Sequence, residues 1–330
     1  MKLDNEEKKE NPIGKLLAYL KKNNLMVAEG TLILILVVLF VVLMIATDRF
    51  LTVQNLSNLV RQTSIIGIVA LGMTFVIISA GIDLSVGAVV GLSSIVVALF
   101  LKTGMGIVLS VLLALAVGTL VGLINGIIVH NGKVTPFIAT LGMMTIVRGL
   151  IMLVSGAKMV AGLPKSFTGF AQLTIVGLPA LFFVWLIVII LATIITKRTQ
   201  FGRNVYAIGS NVEASRLSGI HIRNNIYRIY AISAFLSSVA GILLTARLGN
   251  GIPTAGSGYE LDAIASAVVG GASLFGGEGS ILGTVLGAIL MATLRNGGNL
   301  LGINPFILEI AVGALIIFAV LLDQYNKRKK

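Results

Sequence analysis

Residues 107–129 read Ile107-Val-Leu-Ser-Val-Leu-Leu-Ala-Leu-Ala-Val-Gly-Thr-Leu-Val-Gly-Leu-Ile-Asn-Gly-Ile-Ile-Val129, an apolar run without a charged side chain. Hydrocarbon offers backbone amides no hydrogen-bond partner, so a run this long reads as a membrane-spanning helix. Working outward, similar runs recur near 30–46, 65–80, 84–101, 137–154, 177–195, 228–248, 261–276, 280–296 and 306–322. The fold class expected is therefore all-α integral membrane, with about ten transmembrane helices. The third and eighth runs adjoin Gly-rich turns and are expected to be broken or re-entrant.

Composition points the same way. Apolar residues make up 56% of the chain and charged residues 12%, about half the charged share of a soluble domain. The bilayer is then the solvent. No cysteine is present, which removes disulfides, thiolate metal sites and thiol nucleophiles together. Two histidines, His130 and His221, leave little for a metal cluster. The net charge of +12 does not call for nucleic acid, because 17 of the 25 basic residues fall on one set of alternate loops and the termini. The positive-inside rule puts both termini in the cytoplasm, so the number of spans is even.

The chain divides into a cytoplasmic segment (1–28), one transmembrane domain (29–323) and a basic tail (324–330). Asp4, Glu6, Glu7 and Glu10 make the first segment too acidic for a signal peptide. Ile13, Leu16, Leu17 and Leu20 recur at helical spacing among Lys15, Lys21 and Lys22, the pattern of a short interfacial helix.

The two halves, spans 1–5 and 6–10, resemble each other. Asp83-Leu-Ser-Val-Gly-Ala-Val-Val-Gly91 opens the third span and Asp262-Ala-Ile-Ala-Ser-Ala-Val-Val-Gly270 the eighth. Gly118-Thr-Leu-Val-Gly122 is echoed by Gly283-Thr-Val-Leu-Gly287, and Pro136-Phe-Ile by Pro305-Phe-Ile. Matching spans lie five apart, so the copies cross in opposite directions. Such an inverted repeat is a recurring transporter design. Gly118, Gly122 and Gly126, with their counterparts Gly279, Gly283 and Gly287, read as helix-packing ridges. No P-loop signature occurs, so the chain is not its own ATPase.

Between spans six and seven, residues 196–227 form a long basic loop containing Ser210-Asn-Val-Glu-Ala-Ser-Arg-Leu-Ser-Gly219. Ser210 and Glu213 suit a capping box, and Gly219 suits the C-terminal stop. The expectation is a short self-capped helix on the cytoplasmic side. A helix this short is marginal in water, so a docking partner is implied.

Glu213-Ala214-Ser215-x-x-x-Gly219 resembles the EAA-x-x-x-G coupling signature of ABC importer permeases, with serine replacing the last alanine. The stretches 72–87, 134–149, 199–220 and 259–284 are similar to permeases of the ribose, galactose and xylose importers, the ribose type most of all. The similarity covers about residues 50–323. It implies two permease copies in a bacterial inner membrane, an extracellular sugar-binding protein that selects a monosaccharide, and ABC ATPase subunits. ATP and Mg would reside on the ATPase, with no cofactor or metal on this chain. Ser210, Glu213, Ala214, Ser215 and Gly219 are then the ATPase-coupling positions. Ser215, the departure from the signature, is expected to be tolerated.

Polar residues at membrane depth are functional candidates by default. Asp83, Asn125, Asp262, Asn296, Asn299 and Glu309 are the candidates for the substrate path. For Asp83 and Asp262, capping of the helix each one opens is a competing reading. For Glu309, pairing with Arg295 or Arg148 competes, and the asparagines could instead bond neighbouring helices. An ion-coupled secondary sugar transporter would share the inverted repeat but has no need of the coupling helix. No metalloprotease motif, paired-Asp motif or Ser/His/Asp set suggests a membrane enzyme.

Overall fold

The computed structural model describes residues 24–328. The interfacial helix expected around Ile13–Leu20 and the last two residues of the tail lie outside them. Chain order is α1 (Asn24–Ala46), α2 (Val53–Ile78), α3 (Val86–Lys102), α4 (Ile107–His130), α5 (Pro136–Ser155) and α6 (Lys165–Gln172). A two-stranded hairpin, Thr174–Ile175 with Leu178–Pro179, follows. Then come α7 (Ala180–Arg198), α8 (Gln200–Ser210), α9 (Val212–Leu217), α10 (Ile222–Leu248), α11 (Tyr259–Val269), α12 (Ile281–Leu300) and α13 (Pro305–Arg328).

Eight of the described helices are long and apolar enough to cross a membrane: α1, α2, α4, α5, α7, α10, α12 and α13. The other two expected spans are the short ones. α3 has 17 residues and α11 only 11, about 16 Å at 1.5 Å per residue. α11 stops at Val269 rather than near 276, because Gly270 and Gly271 follow and Gly271 turns left-handed at φ +90.

Contacts between loops sort the helix ends onto two sides. At the end carrying the basic loops, Ser280 Oγ donates to Glu29 Oε1 (2.8 Å) and Gly277 N–H to the Ile78 carbonyl (2.8 Å). At the opposite end, the loop after α5 meets the loop after α10 in a bridge between Val160 and Gly251. There too Asn55 at the start of α2 meets Asn296 near the end of α12. The ends of α1, α2, α5, α10 and α12 thus fall alternately on two sides, as successive passes require.

α2 and α10 form the buried centre, while α1, α4, α5, α7 and α13 carry large exposed apolar side chains. Each central helix packs on the other half of the chain. α10 lies against α3 and α4, and α2 lies against α11 and α12. The pairs α3–α4, α3–α5 and α4–α5 likewise recur as α11–α12, α11–α13 and α12–α13. The repeat read in the sequence therefore has a counterpart in the packing.

Glycine sets how closely these helices approach. A Cβ on Gly118 would strike Ser238 Oγ of α10, and one on Gly122 would strike the Tyr230 carbonyl. In the second half, Cβ atoms on Gly283 and Gly287 would strike the Gly270 and Ser266 carbonyls at α11. Lipid tails give helices no hydrophobic reason to associate, so this contact is what joins them. Gly283→Val is expected to cost about 1–3 kcal/mol, read as a lower unfolding temperature in detergent. Gly142→Val, where no atom lies within 4 Å of the added Cβ, is expected to leave that temperature unchanged. Equal behaviour of the two variants would refute the packing role.

Candidate functional site

The stretch expected as a loop with one helix is helical almost throughout. α7 runs to Arg198, Thr199 caps α8 by accepting from Gly202 N–H (3.1 Å), and α10 begins at Ile222. Only Asn211, in an extended conformation, separates α8 from α9.

The short coupling helix is present as α9, but its start corrects the expected register. Ser210 is the last residue of α8 and caps nothing. Asn211 is the N-cap, its Oδ1 accepting from Ala214 N–H at 2.9 Å. Asparagine ranks with serine at this position, and Ser210 is already committed to the preceding helix. Glu213 does not reach back to complete a capping box. It pairs instead with Arg216 one turn on, at 2.5 Å, and both side chains are exposed. That hydrogen bond holds the Glu213 carboxyl below its usual range.

The stop is as expected. Gly219 sits at φ +82, and Ile220 N–H returns to the Ser215 carbonyl (3.1 Å), the signature of a Schellman turn. Glu213, Ala214 and Gly219 face outward with the large apolar side chains Val212 and Leu217, while Ser215 is buried. A small side chain is what a buried position beneath a six-residue helix accommodates, and serine is nearly as small as alanine.

The membrane-embedded candidates separate into three groups. Asp83 is fully buried; its Oδ1 accepts from Ser85 N–H (3.0 Å) and Oγ (2.6 Å), and its Oδ2 from Ser233 Oγ (3.3 Å). Asn125 Nδ2 donates to the same Ser85 Oγ at 2.9 Å, so Asp83 and Asn125 share one network across α3, α4 and α10. Ser85, not Asp83, is the residue flanking α3. Asp83 does not cap α3; it closes an Asx turn on the Ser85 amide just ahead of the helix.

Asp262 is not a cap either. Gly258 precedes α11, and Asp262 lies in its first turn, paired with Arg295 of α12 at 2.7 Å. That pairing corrects the expectation for Glu309, which is exposed and pairs with neither arginine. α11 packs directly on α12 and brings Asp262 to Arg295 first. Arg148 donates to the Ala255 carbonyl (2.9 Å) and faces Glu260.

Asn296 exchanges both amide hydrogen bonds with Asn55, and Asn299 is exposed. Sequence reading missed Asn55, Ser85 and Ser233. Of these only Ser85 carried a signal, since Asp-x-Ser ahead of a helix is a turn-forming pattern.

Residues 55–321 match the family profile described as branched-chain amino acid transport system / permease component. The chain belongs to this permease family. The permease is 42% identical over 309 residues to a ribose import permease of Haemophilus influenzae, covering 92% of this chain and 95% of that one. It is 42% identical to a ribose import permease of Bacillus subtilis, covering 88% and 90%. It is 38% identical to a galactose/methyl galactoside import permease of Escherichia coli K12, covering 92% and 96%. No solved structure matches.

The corrected cap makes a local prediction. Asn211→Ala in the permease should weaken α9 by about 1 kcal/mol, seen as faster hydrogen exchange at the Ala214 amide. Ser210→Ala should leave that exchange unchanged, and the reverse pattern would restore the capping box.

Proposed function

We propose that the permease is the membrane subunit of a binding-protein-dependent ABC importer that carries a monosaccharide, ribose foremost, into a bacterial cytoplasm. Two copies form the pathway in the inner membrane, both termini lie inside, and a sugar-binding protein delivers cargo to the outer face. ATPase subunits, which bind ATP and Mg, dock on α8–α9. Their closure pushes α9 and rocks the bundle between outward-open and inward-open states.

One observation carries this reading: a six-residue helix capped at both ends and held at the basic end, with Glu213, Ala214, Val212 and Leu217 turned outward. A helix so short needs a partner to be worth keeping. The relatives named as ribose and galactose import permeases support the cargo class. Against the ion-coupled alternative, both buried aspartates are engaged inside the protein, Asp83 by serines on both oxygens and Asp262 by Arg295 on Oδ1. Sugar selection by the binding protein also fits a path with few free polar groups.

Gly219→Glu places a β-carbon and a charge at a left-handed position. In proteoliposomes with the ATPase and binding protein, it should abolish ATP-driven ribose uptake while membrane insertion stays normal. Uptake at the wild-type rate in that variant would defeat the coupling assignment.

A further inference from the structure

The glycine-rich turn between α11 and α12, residues 270–280, gathers contacts from elements far apart in the chain. Its Gly279 carbonyl accepts from Tyr206 Oη of α8 at 2.9 Å. Its Gly277 amide donates to the last carbonyl of α2, Ile78, at 2.8 Å. Ser273 Oγ reaches Asp323 of α13 (2.9 Å), and Ser280 Oγ reaches Glu29 of α1 (2.8 Å).

The seam between α8 and this turn is backbone on backbone. A Cβ on Gly209 would strike the Ile78 carbonyl and the Gly277 amide, and one on Gly276 would meet the Gly209 carbonyl at 2.6 Å. Gly276 and Gly277 are both left-handed, at φ +81 and +75. Such a seam has no flexible side chain to absorb a displacement. Only Asn211 separates α8 from α9, so a push on α9 arrives at the Gly209 end of α8.

We propose that the 270–280 turn is a force-transmitting element of the permease, with Tyr206 as the positioning residue that holds it to the coupling segment. The inference rests on the importer reading above. Motion of α9 is delivered through α8 to the turn, and from there to α1, α2 and α13 and to the half-length helix α11. This route runs beside the covalent one through Ile220 into α10. Tyr206 suits the task because its half-buried hydroxyl donates directly to a backbone carbonyl of the turn.

The test is Tyr206→Phe in the complete transporter, reconstituted in proteoliposomes with its ATPase and binding protein. Labelled ribose and galactose are the probes. The variant should assemble normally and keep ATP hydrolysis stimulated by the binding protein. Sugar moved per ATP should fall about fivefold, the factor that one neutral hydrogen bond supplies. An unchanged ratio overturns the proposal, and so does a fall of uptake and hydrolysis in the same proportion, which would mark Tyr206 as merely structural. The wild-type transporter run alongside separates the two claims, since absent ATP-driven uptake there would sink the importer reading itself.

Discussion

Close approach of helices through small residues is the contact on which the rest of this molecule depends. In water, apolar faces are driven together, whereas in lipid they are already solvated. What remains is dispersion, which decays within a fraction of an ångström of extra separation. Gly118 and Gly122 let α4 reach the backbone of α10, and Gly283 and Gly287 let α12 reach that of α11. Gly241 does the same for α10 against the Val90 carbonyl of α3. Because α10 belongs to the second half and α3 and α4 to the first, these contacts also interlock the two repeats. Neither half could bury its central helix alone.

The interlock has an electrostatic side. Each half opens its short helix with an aspartate, and in each the carboxylate is tied to the last turns of the helix that follows. In the first half the tie runs from Asp83 through Ser85 to Asn125 of α4. In the second it is Asp262 to Arg295 of α12. Opposite directions of crossing put the first tie toward the basic end and the second toward the other. A buried carboxylate is tolerated only when it is paired or hydrogen-bonded; Asp83 accepts on both oxygens and Asp262 accepts twice on Oδ1 from Arg295. Each aspartate thus has a structural role, holding a short helix to its neighbour.

How much of this the sequence disclosed follows from the physics of each signal. The long spans were legible because a lipid-facing helix must be apolar over its whole length. The first dozen residues of α2 were not: Gln54, Asn55, Asn58, Arg61 and Gln62 interrupt the apolar run, Gln54 and Asn58 staying exposed and Asn55 and Arg61 finding tertiary partners. Asn55, for example, is buried against Asn296 and the Phe50 carbonyl. The coupling helix was legible from Glu213 and Gly219, yet its cap was displaced by one residue. Ser210 and Asn211 are both good caps, and the choice lay with α8, a helix too mixed in composition to be read. Partner choice inside the membrane was least legible. Arg295 had two acidic suitors, Asp262 and Glu309, and helix packing rather than spacing decided between them.

A half-length α11 has a mechanical consequence. At about 16 Å it covers only half of a hydrocarbon core about 30 Å thick, so the chain must finish the crossing as the 270–280 turn. Non-helical backbone at that depth survives only where protein or water satisfies it. Here the Ile78 carbonyl of α2 and the Tyr206 hydroxyl of α8 supply part of that satisfaction, and α8 leads straight into α9. The turn therefore cannot shift relative to α8 without losing the Tyr206 bond and opening the Gly209–Gly276 seam. Bonds from the same turn to α1, α2 and α13 carry any such displacement onward. A segment costly to detach from either side is suited to passing on a push.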